Sequence, residues 1–229
     1  MPVPTLRGTS TATGTTTVTI NVPAGTAEGD GLTLALLRDL CGGFTTSLSG
    51  WTTMGTVSGE MFNVYQRIWH AGDPTSVTWT PSAVPLHPSG PAASTNIAAL
   101  MYCFQNSALS SNIGSIPSGG SNTAKIECPG GTGDVYLAFG AIDDNASPQL
   151  TSLTGDSPLT GVVNVSNGRI WLVGGYDTAN TSSNRLFSGV TLPDLSGGWR
   201  SRMGIGARLA YALAPPTGGW GVGQIRMGA

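Results

Sequence analysis

Hydrophobic residues recur along this chain with a period of two. Between residues 15 and 22, Val18, Ile20 and Val22 share one face and threonines occupy the other, as in a half-buried strand. Leu32, Leu34 and Leu36 resume the alternation after a Gly29-Asp30 turn. The segment LTLALLRDL also suits a short helix, but the turn before it and its match to Val135, Leu137 and Phe139 favour a strand. A further strand spans residues 51–57, after a Ser49-Gly50 turn. Residues 61–70 place Phe62, Val64, Gln66 and Ile68 on one face and Tyr65, Arg67 and Trp69 on the other. Both faces are partly apolar, which suits a strand inside a sandwich. Residues 77–80 form a short strand and residues 97–104 a buried one. In the second half the pattern predicts strands at 124–128, 134–142, 160–165, 169–174, 185–190 and 201–213.

Turn chemistry separates these strands. In Ala71-Gly72-Asp73-Pro74, glycine tolerates positive φ and proline fixes φ after the aspartate. Asn167-Gly168 between two strands is the strongest hairpin signal in the chain. Gly204 and Gly206 interrupt the last strand, suggesting a bulge or a close backbone approach. The segment 81–91, with four prolines, reads as a loop, and the Ser/Gly-rich residues 109–121 read as a link. No stretch of ten residues carries a helical period.

The pattern also occurs twice. VTINVPAGTAEGDGLTLAL in the first half is echoed by AKIECPGGTGDVYLAF in the second. Arg67-Ile68-Trp69 is echoed by Arg169-Ile170-Trp171, and Leu100, Tyr102 and Phe104 by Leu209, Tyr211 and Leu213. A unit of about a hundred residues is too long for a propeller blade or solenoid repeat. The expectation is an all-β, jelly-roll-like sandwich built from two sequence-related halves, residues 15–108 and 122–214. Two small sandwiches in tandem are the alternative. Residues 1–14 are expected to form a polar N-terminal arm, and residues 215–229 a Gly/Pro-rich tail.

Composition narrows the function classes. Of 229 residues, 39% are hydrophobic, enough for a sizeable core, and only 10% are charged, well under the usual quarter. The net charge is −2 and the basic residues are scattered, which disfavours binding to nucleic-acid phosphates. No apolar run approaches the length of a membrane span, and the N-terminus lacks the apolar core of a signal peptide. Cys41, Cys103 and Cys128 are odd in number and widely spaced, so neither a zinc knuckle nor a thioredoxin-like pair is expected. Cys103 reads as a small buried hydrophobe.

The motifs that could carry chemistry read better as structure. Gly155-Asp156-Ser157-Pro158-Leu159 is similar to the serine block of GDSL hydrolases, but neither His70 nor His87 lies in the Asp-x-x-His pair such a serine needs. His70 and Asp73 lack a third metal ligand nearby. Asp143-Asp144-Asn145 lacks the spacing and closing glutamate of a calcium loop. No catalytic, metal or cofactor residue is assigned. Among the six tryptophans, Trp51, Trp69 and Trp171 lie in alternating strands and are expected in the core. Trp79, Trp199 and Trp220, near turns or in the tail, are the candidate surface contacts, together with Ile225 and Met227.

Residues 22–30, Gly50-Trp51-Thr52, the run from Tyr65 to Thr80, the strand from Ala98 to Phe104, Gly133-Asp134 and the closing strand to Leu213 form a pattern. It resembles a family of small β-sandwich proteins encoded in the structural modules of tailed bacteriophages and prophages. The resemblance covers residues 15–215. It implies a non-enzymatic virion component made in the bacterial host cytoplasm: a capsid decoration (cement) protein, a fibre or a minor tail protein. The compact strand-rich unit favours decoration, with a homotrimer binding neighbouring subunits of the major capsid protein through the arm and tail. The alternative is a carbohydrate-binding adhesion module of a tail or fibre.

Overall fold

The computed structural model describes residues 3–38, 48–57, 62–80, 96–116, 125–128, 135–143, 159–168, 170–178, 185–188 and 201–211. Among them the regular structure is entirely strand. The first seven strands are β1 (Thr5–Gly14), β2 (Val18–Asn21), β3 (Gly31–Arg38), β4 (Thr52–Val57), β5 (Phe62–Ile68), β6 (Ser76–Trp79) and β7 (Ile97–Gln105). The second seven are β8 (Ser107–Ile116), β9 (Lys125–Cys128), β10 (Val135–Asp143), β11 (Thr160–Asn167), β12 (Ile170–Asp177), β13 (Arg185–Ser188) and β14 (Ser201–Tyr211).

Two five-stranded antiparallel sheets face each other, in the orders β1-β7-β3-β5-β4 and β11-β12-β10-β14-β8. The result is an all-β, jelly-roll-like sandwich. Two-stranded ladders flank it. The β2-β6 pair covers the outer face of the first sheet, and in the β9-β13 pair β9 lies beside β8 and β14. The two sheets share one strand order. Adding seven to each element of the first, and to β2-β6, gives the second and β9-β13.

The alternation becomes two cores because the first sheet is covered on both sides. Ala35, Leu37, Phe62, Val64, Leu100, Tyr102 and Phe104 face Val135, Leu137, Phe139, Ala141, Leu172 and Leu209 across the sandwich. The opposite face of the same strands, including Leu32, Leu34, Leu36, Tyr65 and Met101, packs under Val18, Ile20 and Trp79 of the outer pair. Burying each large side chain stabilises by about 1.5–3 kcal/mol. At the centre, Tyr102 meets Phe139 edge-on at 5.9 Å and Phe104 meets Tyr176 edge-on at 5.1 Å. Gly174 leaves room for this packing. A Cβ there would lie 2.7 Å from Leu100, 2.9 Å from Tyr102 and 3.0 Å from Phe139.

Several expectations are corrected. Residues 5–14 are not a free arm. They form an edge strand paired to β7 along its length. Their Thr/Ser composition hides a strand because an edge strand keeps polar residues outward, and threonine favours β structure. Part of the supposed link is likewise a strand, β8, at the edge of the second sheet. The chain crosses from one sheet to the other at Asn106, in a left-handed conformation with φ 57°.

The residue matching between halves also shifts. Gly31 pairs with Phe104 in the first sheet and Val135 with Leu209 in the second. Counted from those pairs, Thr33, Ala35 and Leu37 occupy the places in the first sheet that Leu137, Phe139 and Ala141 occupy in the second. Leu32, Leu34 and Leu36 point to the other face, since a slip of one residue reverses a strand. Ile68 ends β5 whereas Ile170 begins β12, so the Arg-Ile-Trp echo is not a structural equivalence.

The predicted hairpin is present. Asn167 pairs with Ile170, and Gly168 takes the first turn position with φ 62°. Asn167 also donates from Nδ2 to the carbonyls of Gly14 (2.7 Å) and Ile97 (3.3 Å), joining the two sheets at this end.

Candidate functional site

Among the described residues a concavity opens where the β2-β6 layer stops short of β4 and β5. It is a cleft of about 230 Å³. Trp51, Arg67 and Trp69 form one wall, β6 contributes Ser76, Val77 and Thr78, and Val22, Leu32, Leu48, Ser49 and Pro74 complete it.

Local turns set the two indoles. Trp51 follows the Ser49-Gly50 turn, where Gly50 adopts φ 78° and the Trp51 amide donates to the Leu48 carbonyl at 3.0 Å. Trp69 is clipped to the Gly29-Asp30 turn. Its amide donates to the Asp30 carbonyl at 2.8 Å, and its carbonyl accepts from Gly29 at 2.9 Å. Arg67 lies between them because alternation puts Tyr65, Arg67 and Trp69 on one side of β5. Its guanidinium sits 5.6 Å from the centroid of the Trp51 ring, within cation–π range.

A carboxylate holds that guanidinium. Arg67 Nη2 donates to Asp73 Oδ2 at 2.5 Å, and the same oxygen accepts from the His70 amide at 2.7 Å. The backbone hydrogen bond from His70, followed by the charge of Arg67, keeps the Asp73 carboxyl below its usual pKa. Gly72, at φ 92°, makes the turn possible, as its sequence predicted. Outside it, Glu28 accepts from the Ala71 amide and meets His70 Nδ1 at 2.8 Å. These bonds, the one to the His70 side chain first, lower the Glu28 pKa. Both partners are well exposed, so this pair shapes the loop more than it stabilises the fold. The buried Nε1 of Trp69 has no acceptor among the described residues. An orphaned donor of this kind costs about 1–3 kcal/mol.

The tryptophan assignments are thus partly reversed. Trp79, expected at the surface, is 4% exposed and packs in the second core beneath the outer layer. It pairs with Val18 in the β2-β6 ladder and faces the sheet below. Trp51 and Trp69, expected in the core, are half-buried at its margin and line the cleft. Trp171 is also half-buried. Trp199, Trp220, Ile225 and Met227 lie outside the described residues, as do the proline loop and the Gly-Asp-Ser-Pro block.

A second polar cluster is structural. Arg7 is the bulged residue of β1, and its Nε reaches the buried Asp30 Oδ2 at 2.6 Å. The same oxygen accepts from the Ala27 amide at 2.7 Å. Cys103 is a buried free thiol beside it. It accepts from Thr26 Oγ1 at 3.3 Å, and burial pushes its pKa up to about 11. Among the described residues no three His, Cys, Asp or Glu side chains gather as metal ligands. No helix among them is long and apolar enough to cross a membrane.

Large hydrophobic side chains are exposed at two described positions. Leu109 on β8 and Val162 on β11 are 37% and 40% exposed. These are the two edge strands of the second sheet. Comparison with protein-family models, with curated proteins and with solved structures finds no match to this chain.

Proposed function

We propose that the protein is a non-enzymatic structural component of a tailed-phage virion, a surface decoration protein that self-associates and binds neighbouring capsid subunits. The observation that carries this reading is the placement of Leu109 and Val162 at opposite edges of one sheet. Edge strands are where chains associate unless they are blunted, and apolar side chains there add buried area to such contacts. The sequence resemblance supplies the setting, and the shared strand order of the two sheets suits a scaffold made by duplication. The anchoring role falls to residues 215–229 and the edges, because β1 is built into the first sheet and held by the Arg7–Asp30 pair.

The test is co-expression with a tailed-phage major capsid protein, followed by sedimentation of the shells and light scattering of the free protein. A trimer in solution that cosediments with shells is the expected result. Deletion of residues 215–229, or Leu109→Asp with Val162→Asp, is expected to lower shell occupancy without unfolding the domain. A monomer that never sediments with shells would refute the proposal.

A further inference from the structure

We infer that the Trp51–Arg67–Trp69 cleft binds one neutral pyranose ring, the terminal unit of a glycan. This site is separate from the edges invoked above and does not depend on the capsid reading.

Size comes first. At about 230 Å³ the cleft is smaller than the ~300–1,000 Å³ typical of sites for drug-sized ligands, so it suits a single ring. Its lining is amphipathic in the way a pyranose is. The indoles of Trp51 and Trp69, with Val77, offer surface to the C–H face of a sugar. Ser49, Ser76 and the Arg67 guanidinium offer hydrogen-bonding groups to its hydroxyls. An apolar ring of the same size would leave those polar groups without partners on desolvation.

Charge selects a neutral ligand. Arg67 is committed to Asp73 at 2.5 Å, so an anionic ligand would compete with an ion pair already formed, and a cation would meet the guanidinium. The platform is also preorganised. Each tryptophan is fixed by backbone hydrogen bonds at a turn, and Arg67 is fixed by Asp73, so little freedom is lost on binding.

The experiment titrates the full chain with methyl glucoside, methyl galactoside, N-acetylglucosamine and glucuronate, reading tryptophan fluorescence. A matching oligosaccharide is run in parallel to separate a free sugar from a glycan end. At least one neutral sugar is expected to give a saturable change with a Kd of ~1 mM, as fits one small ring. Trp51→Ala is expected to weaken it at least tenfold with the strand signal in circular dichroism retained. Ser76→Phe, which fills the cleft from β6, is expected to do the same and serves if Trp51→Ala does not fold. The inference is overturned if no neutral sugar binds up to about 100 mM. Unchanged affinity in both variants overturns it, as does tighter binding of glucuronate than of any neutral sugar.

Discussion

Replacing Tyr102 by Phe removes one oxygen from the centre of the sandwich and leaves the ring stack in place. That oxygen joins the two sheets. The hydroxyl donates to the Gly161 carbonyl at 2.9 Å. Gly161 lies within the irregularity where β11 slips against β12, so the tyrosine engages a carbonyl in the stretch that the ladder leaves out of register. Burial raises the phenol pKa far above its ordinary 10, which keeps it a neutral donor at any working pH. Losing one net hydrogen bond costs about 0.5–1.5 kcal/mol, and stranding a buried partner costs about 1–3 kcal/mol. The expected destabilisation is therefore about 2 kcal/mol, or a fall in Tm of about 4–8 °C for a chain of this size. Urea unfolding followed by tryptophan fluorescence measures it, with an unchanged m-value as the check that only stability has moved. Hydrogen exchange should show lost protection in β11 around Gly161 and little change in β3. A loss below about 0.5 kcal/mol, or a stabilisation, would mean that the hydroxyl does not bridge the sheets.

Other outcomes follow from the same geometry. Gly174→Ala is expected to cost ~1–3 kcal/mol, because its Cβ would press on Leu100, Tyr102 and Phe139 at once; a neutral effect in thermal melts would show that the sheets can separate there. Glu28 and Asp73 have pKa values below their ordinary 4.5 and 3.8. Groups lowered in this way contribute stability above the ordinary value and lose it as pH falls through the lowered one. Carboxyl-carbon NMR should find both midpoints below those values, and His70→Ala should return that of Glu28 toward 4.5; a Glu28 midpoint already at 4.5 in the unaltered protein would contradict the Glu28–His70 bond.

Sequence patterning located the strands because the period-two signal is local. Phe62, Val64, Tyr65 and the turn at Gly72 were legible for that reason. Whether another layer lies above a strand is not local. Trp79 looked like a surface residue since its strand is short and bounded by turns, yet the pairing with Val18 turns it into the core. Trp51 and Trp69 looked buried since they belong to apolar runs, yet the outer layer stops before covering them. Arg67 and Trp69 could be placed on one face of β5 from alternation alone. Trp51 could join them only once β4 was known to pair with β5, and Asp73 only once the turn folded back. Arg7 gave no warning of its role, because a bulge and a partner twenty-three residues away decide it.

The crossing at Asn106 has a consequence for the chain while it is being made. Every ladder of the described strands closes within β1–β7 or within β8–β14. The first seven strands can thus finish their backbone pairing before the second seven exist. Their inner face, with Leu100, Tyr102 and Phe104, then waits for a lid that arrives roughly a hundred residues later. At ~5–20 residues per second that wait lasts about 5–20 seconds. During it the nascent protein shows an uncovered apolar sheet to its surroundings, a window in which a chaperone or another nascent copy competes with its own second half.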